Sequence, residues 1–124
     1  MNRRIQRGHL AFAAGLDAER IAMAALEHDG WRILGCRLRT RAGEIDMAAE
    51  KEGLLAIIEV KHRPTLAGAA AALGKRQQAR LIAAAELLLA DNPGWGAQGV
   101  RFDVVVVDAA GAVRRIADAF RLME

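Results

Sequence analysis

A single cysteine, Cys36, stands in the whole chain. That excludes an internal disulfide and any zinc cluster built from several thiolates. It also makes the reducing cytoplasm the expected setting. No apolar run approaches the roughly 20 residues that span a bilayer. The stretch from Ile82 to Ala90 is short and is interrupted by Glu86, so no membrane partner is expected. A signal peptide is the rival reading of the start, MNRRIQRGHLAFAAG, but its apolar part is short and leads into a charged helical pattern. There is no internal repeat and no low-complexity tract beyond a richness in alanine. With 124 residues the expectation is one domain, 1–124, large enough for a core. Cys36 itself is expected to be a small buried hydrophobe and not a nucleophile, because no histidine lies in a partnering position.

What is present centres on Gly43 to Arg63, GEIDMAAEKEGLLAIIEVKHR. It reads as two strands joined by a polar turn at Glu50 to Gly53. Side chains two apart share a strand face. Glu59 and Lys61 therefore lie together with Ile57 and Leu55, while Ala56, Ile58 and Val60 oppose them. Matching Ile45 and Met47 to that second set as one buried face puts Asp46 beside Glu59 and Lys61. A one-residue slip would separate the three and break the apolar match. Two carboxylates and a backbone carbonyl suit a hard cation, Mg2+ or Mn2+. Such an ion activates water and polarises a phosphodiester, and an adjacent lysine can stabilise phosphate charge or orient the water. The bland alternative is a solvated Glu59–Lys61 pair with Asp46 an ordinary acid near a turn. The apolar run around Val60 favours a buried strand over a loop.

The first helix is expected from about Leu10 to Asp29, stopped by His28, Asp29 and Gly30. Ala22, Met23 and Leu26 share a stripe with Glu19. An inward carboxylate is costly unless it is paired or binds a cation. The alternative is a boundary glutamate that reaches water or pairs with an arginine. Trp31 to Arg39 reads as a strand with Trp31 in or at the rim of the core, and Thr40 to Gly43 as a turn. Pro64 to Gly74 is expected to be partly irregular. A second helix, from about Lys75 to Ala90, has Leu81, Ala84, Ala85 and Leu88 inward, with Gln77 at the head of that stripe. Gln77 could hold a water or a phosphate, or simply mark the helix end. Val100 to Asp108 is an interior strand, with Arg101 and Asp103 read first as a structural ion pair and second as substrate contacts. Ala109 to Ala112 make a turn, Val113 to Ile116 an edge strand, and Ala117 to Met123 an amphipathic tail.

Net charge is only +3. The cations cluster, though: Arg3, Arg4 and Arg7; Arg32, Arg37, Arg39 and Arg41; Lys61, His62 and Arg63; Lys75, Arg76 and Arg80. Phosphate contacts or plain solvation would each produce such a pattern.

In this order and spacing the motifs resemble the PD-(D/E)xK nuclease superfamily. More narrowly they resemble the UPF0102 (YraN-like) family, similar in fold to archaeal Holliday junction resolvases. The resemblance rests on Gly15 and Glu19-x-x-Ala22, on Gly30, Trp31, Ile33 and Leu34, and on Gly43-Glu44-Ile45-Asp46 with Glu59-Val60-Lys61-x-Arg63. Arg80-Leu81, Ala84-Ala85 and Arg101-Phe102-Asp103 extend it. It implies an α/β, restriction-endonuclease-like αβββαβ core with a mixed central sheet flanked by helices. It further implies Glu19, Asp46, Glu59 and the Val60 carbonyl around Mg2+ or Mn2+, and Lys61 as the catalytic lysine beside Glu19, Asp46 and Glu59. Arg39, Arg41, Arg63, Lys75 and Gln77 would contact DNA, and a homodimer would suit paired strands. Ala18, Arg37 and Gln77 depart from the family pattern, which bears on substrate contacts more than on the acids. A nucleic-acid binding module that keeps the fold without cleavage is the alternative function. A structural protein whose acids serve stability is a third.

Overall fold

The computed structural model describes residues 17–67 and 73–120. The arginines at 3, 4 and 7, Gly15, the expected helix start at Leu10 and the chain end after Phe120 lie outside these. The first helix, α1, is described over 17–28. It stops in a glycine cap, with Gly30 at φ +90°. The Gly30 N–H donates to the Glu27 carbonyl at 3.0 Å and the Trp31 N–H to the Leu26 carbonyl at 3.0 Å. Three strands follow, β1 (Arg32–Thr40), β2 (Gly43–Lys51) and β3 (Leu54–His62). Helix α2 (Lys75–Asp91) then leads to β4 (Val100–Val107) and β5 (Val113–Phe120). The strands form one sheet in the order β1-β2-β3-β4-β5. All neighbours are antiparallel except β3 and β4, which α2 connects in parallel. The expected mixed sheet between helices is the one observed.

Alternation along β3 and β4 sorts the two faces. Ala56, Ile58, Val105 and Val107 pack with Ala18, Ala22 and Leu26 of α1 and with Trp31. Leu55, Ile57 and Phe102 pack with Leu81, Ala84, Ala85 and Leu88, the predicted stripe of α2. Burying each such leucine contributes about 2–3 kcal/mol. The β2–β3 turn is tighter than expected. Lys51 pairs with Leu54, and Glu52 and Gly53 both take positive φ, +53° and +81°, the form that matches strand twist.

Three expectations need correction. Ile45 and Met47 do not share a face: Met47 packs on the α1 side and Ile45 on the α2 side. Their partners in β1, Leu38 and Cys36, lie on either side of Arg37, which takes φ +51°. The two strands change face together at Arg37 and Asp46. Cys36 is exposed, not buried, because a bulge between Ile33 and Gly35 turns it out of line with Leu34 and Leu38 on the outermost strand. Partial burial and the nearby Glu19 push its thiol pKa up, so it stays protonated. Finally, β5 runs on to Phe120 where an amphipathic tail was expected. A register shift passes Asp118, at φ +53°, and Phe120 regains its pairing with Phe102, their rings stacked 4.8 Å apart.

Candidate active site

The change of face at Asp46 builds the site. Regular β2–β3 pairing is recorded from Lys51↔Leu54 to Met47↔Ile58. One residue further, the Asp46 side chain takes the role of a strand carbonyl. Its Oδ2 accepts the Val60 N–H at 2.8 Å, which fixes the carboxylate beside Glu59. Glu59 is 7% exposed. Its Oε1 lies 3.5 Å from Lys61 Nζ, and its Oε2 is buried with no hydrogen-bond partner among the described residues. Burial first, and then the charge of Asp46, push the Glu59 carboxyl up from 4.5 to about 7; Lys61 and Arg80 pull the other way. Two adjacent acids resist losing both protons in a dry setting. A cation between them would relieve both the repulsion and the orphaned oxygen.

Asp46, Glu59 and Lys61 thus meet as β-strand spacing predicts. Glu19 does something else. Its Oε2 accepts from Arg37 Nε at 3.1 Å, the arginine pairing that sequence left open. Among the described residues no three of His, Cys, Asp and Glu are gathered as a metal cluster. The donor set therefore fits a cation through the Asp46–Glu59 pair, with Glu19 held by Arg37. Val60 spends its N–H on Asp46, and its carbonyl stands between the two motif residues of β3.

The residues expected to touch nucleic acid are scattered around this end of the sheet. Arg39 is exposed, with Nε 3.7 Å from Glu44. Arg41 is exposed on the β1–β2 turn, and Arg63 and Lys75 are exposed past β3 and at the start of α2. Arg63 donates to the neighbouring His62 carbonyl at 2.9 Å. Gln77 is half-buried, while Gln78 donates to the Leu73 carbonyl at 3.2 Å.

Arg80 is the residue that sequence reasoning left out of the site. It crosses from α2 over Gly43 and donates to the Glu44 carbonyl at 3.2 Å. Gly43 sits at φ +139°, and a Cβ there would come within 2.5 Å of Arg80 Nη1. The signal in sequence was the glycine, which the positive φ and the path of Arg80 together explain.

Two acids from neighbouring strands, Glu59 buried and Asp46 half-buried, beside a lysine on a mixed α/β sheet, define a protein with a built polar site at its core layer. The chain belongs to UPF0102, described as an uncharacterised protein family, whose model matches residues 18–107. That span runs from α1 to the end of β4 and holds Glu19, Asp46, Glu59, Lys61 and Arg80. A UPF0102 protein of Granulibacter bethesdensis is 65% identical over 123 residues, covering 99% of this chain and 78% of the relative. One of Azorhizobium caulinodans is 46% identical over 117 residues, 94% of this chain and 89% of the relative. One of Rhodopseudomonas palustris is 43% identical over 110 residues, 89% and 85%.

Proposed function

We propose that this protein is a metal-dependent endonuclease that hydrolyses phosphodiester bonds in DNA, branched DNA among its substrates. The observation that carries the proposal is Glu59, a buried acid with one oxygen unpartnered among the described residues, set against Asp46 and Lys61. Asp46, Glu59 and the Val60 carbonyl would hold Mg2+ or Mn2+, with Glu19 joining directly or through water on release from Arg37. A divalent cation there would polarise the phosphodiester and lower the pKa of its water. Lys61, mostly buried and 3.5 Å from Glu59, is placed to orient that water or to donate to the phosphate. Arg39, Arg41, Arg63 and Lys75 would hold the backbone as sequence-independent cations. A homodimer would present two such sites to paired strands. No helix among the described residues is long and apolar enough to cross a membrane, and the cytoplasm is the setting we assign.

The Glu19–Arg37 pair favours a second reading, a module that binds nucleic acid without cutting it, since that pair withholds the third acid. Labelled linear, single-stranded and four-way-junction DNA, incubated with Mg2+ or Mn2+, separates the two. Cleavage by wild type, lost in Asp46→Ala and Lys61→Ala while binding survives, supports the nuclease. Salt-sensitive binding by all three proteins with no cleavage supports the module. Binding lost in Asp46→Ala while cleavage persists would overturn the nuclease proposal.

A further inference from the structure

The other buried acid of the sheet, Asp103, anchors an arrangement on the opposite face from Glu59. Its neighbour in β3 is Ile58, which packs on the α1 side. Asp103 Oδ2 accepts from Arg101 Nη2 at 3.1 Å and from Arg115 Nε and Nη2 at 3.1 and 2.8 Å. Both guanidinium carbons also lie 4.8 Å from the centroid of Trp31. The carboxylate and the indole between them fix two planar cations that would otherwise be mobile. A cavity of about 480 Å³ opens against them, lined by Trp31, Lys51, Leu54, Arg101, Arg115 and Ala117, with Glu52 at the β2–β3 turn. That volume lies in the range of small-ligand pockets, roughly 300–1,000 Å³.

Two observations ask for an acceptor there. Arg101 Nε is buried with no hydrogen-bond partner among the described residues, and an orphaned charged donor is costly. The three cations in the lining face one acid, Glu52; Asp103 is fully shielded beneath them, its side chain 0% exposed. Asp103 and its neighbour Asp118 balance the guanidiniums, so attraction here comes from directed donors more than from net charge. The Nε–Nη2 edge of Arg115 and Nη2 of Arg101 are turned to Asp103, so the donors left to a phosphate group are the outer guanidinium N–H groups and Arg101 Nε, with Lys51 also in the lining.

We propose that this cavity is a phosphate-binding site formed by Arg101, Arg115 and Lys51. It is separate from the Asp46–Glu59 site and does not depend on nuclease activity. The test uses the full chain carrying Trp95→Phe, which leaves Trp31 as the one tryptophan. Its emission is followed during titration with inorganic phosphate at constant ionic strength. A saturable change is expected. Its midpoint should move to roughly tenfold higher phosphate in Arg101→Lys, which keeps the charge and loses the fork, and by less in Lys51→Ala. Lys51 is exposed and its ammonium reaches only the Asp29 carbonyl, at 2.7 Å, so that variant remains informative should Arg101→Lys fail to fold. Competition by a short DNA duplex would make nucleic-acid backbone the source of the phosphate; its absence would point to a free phosphate compound. No saturable response in the parent protein, or midpoints unmoved in both variants, would overturn the proposal.

Discussion

Glu59 and Asp103 are both buried acids on adjacent strands, and they are treated oppositely. Asp103, 1% exposed, has both oxygens engaged, one by two guanidiniums and the other by the Asp118 N–H at 2.8 Å. Glu59 has one lysine at 3.5 Å and an oxygen with no hydrogen-bond partner among the described residues. Burial raises the carboxyl pKa at both, but at Asp103 the Asp118 N–H and Arg101 oppose it. At Glu59 the charge of Asp46 adds to burial, and Lys61 and Arg80 oppose it. An acid kept for architecture is surrounded by donors. An acid left short of donors holds on to its proton instead.

The largest effect should come from breaking the satisfied member. Asp103→Ala leaves Arg101 and Arg115 unpaired beside Trp31, and should cost about 3–5 kcal/mol in denaturant unfolding. A loss below 1 kcal/mol would remove the contrast. The unsatisfied member should respond in the other direction. Folding holds a proton on Glu59 that the unfolded chain gives up near pH 4.5. Its stabilising contribution is therefore complete below that pH and lost as pH rises toward 7. Glu59→Gln should abolish this slope, match wild type at pH 4, and be more stable at pH 8 by on the order of 3 kcal/mol. Equal stability of the two proteins at both pH values would refute the strained state of Glu59.

Metal sharpens the comparison next. At pH 8, Mn2+ or Mg2+ at about a hundred times its dissociation constant should stabilise wild type by roughly 2–3 kcal/mol. A melting curve should show this shift in wild type and in Asp103→Asn, but not in Asp46→Ala. The smallest change tests the link between Arg80 and the acids. Gly43→Ala places a Cβ in the path of Arg80 at a backbone angle suited to glycine, and should cost about 1–3 kcal/mol. With Arg80 displaced, the Glu59 pKa should climb further, measurable by NMR titration of its side-chain carboxyl carbon.

Period-two reasoning over Gly43 to Arg63 placed Asp46, Glu59 and Lys61 together, and period-3.6 reasoning placed all four inner residues of α2. The second succeeds because apolar burial leaves one helix face; the first succeeds although its apolar match of Ile45 with Met47 fails. They fail where the backbone breaks its own period. The bulge at Ile33–Gly35 and the positive φ of Arg37 shift parity, which is why Cys36 and Ile45 were assigned to the wrong surroundings. Side-chain pairs across the fold were legible only when short in sequence. Arg101–Asp103 share a strand face and were read correctly. Arg115 reaching Asp103, Arg37 reaching Glu19 and Arg80 reaching Glu44 depend on how elements dock, and no local pattern announces them.

The parallel pairing of β3 with β4 has a consequence in time. The β1–β2–β3 meander closes through short turns, so Asp46 and Glu59 can meet early. Strand β4 must wait for the long stretch from Arg63 to Gly99 to bring it back, and such distant closures are slow. Val104 pairs beside Glu59 only then. Near pH 6 the early hairpin would carry an ionised, hydrated Glu59, and the docking of β4 would draw a proton from solvent. Proton uptake would then mark the docking of β4, and the order of assembly could be followed with a pH indicator.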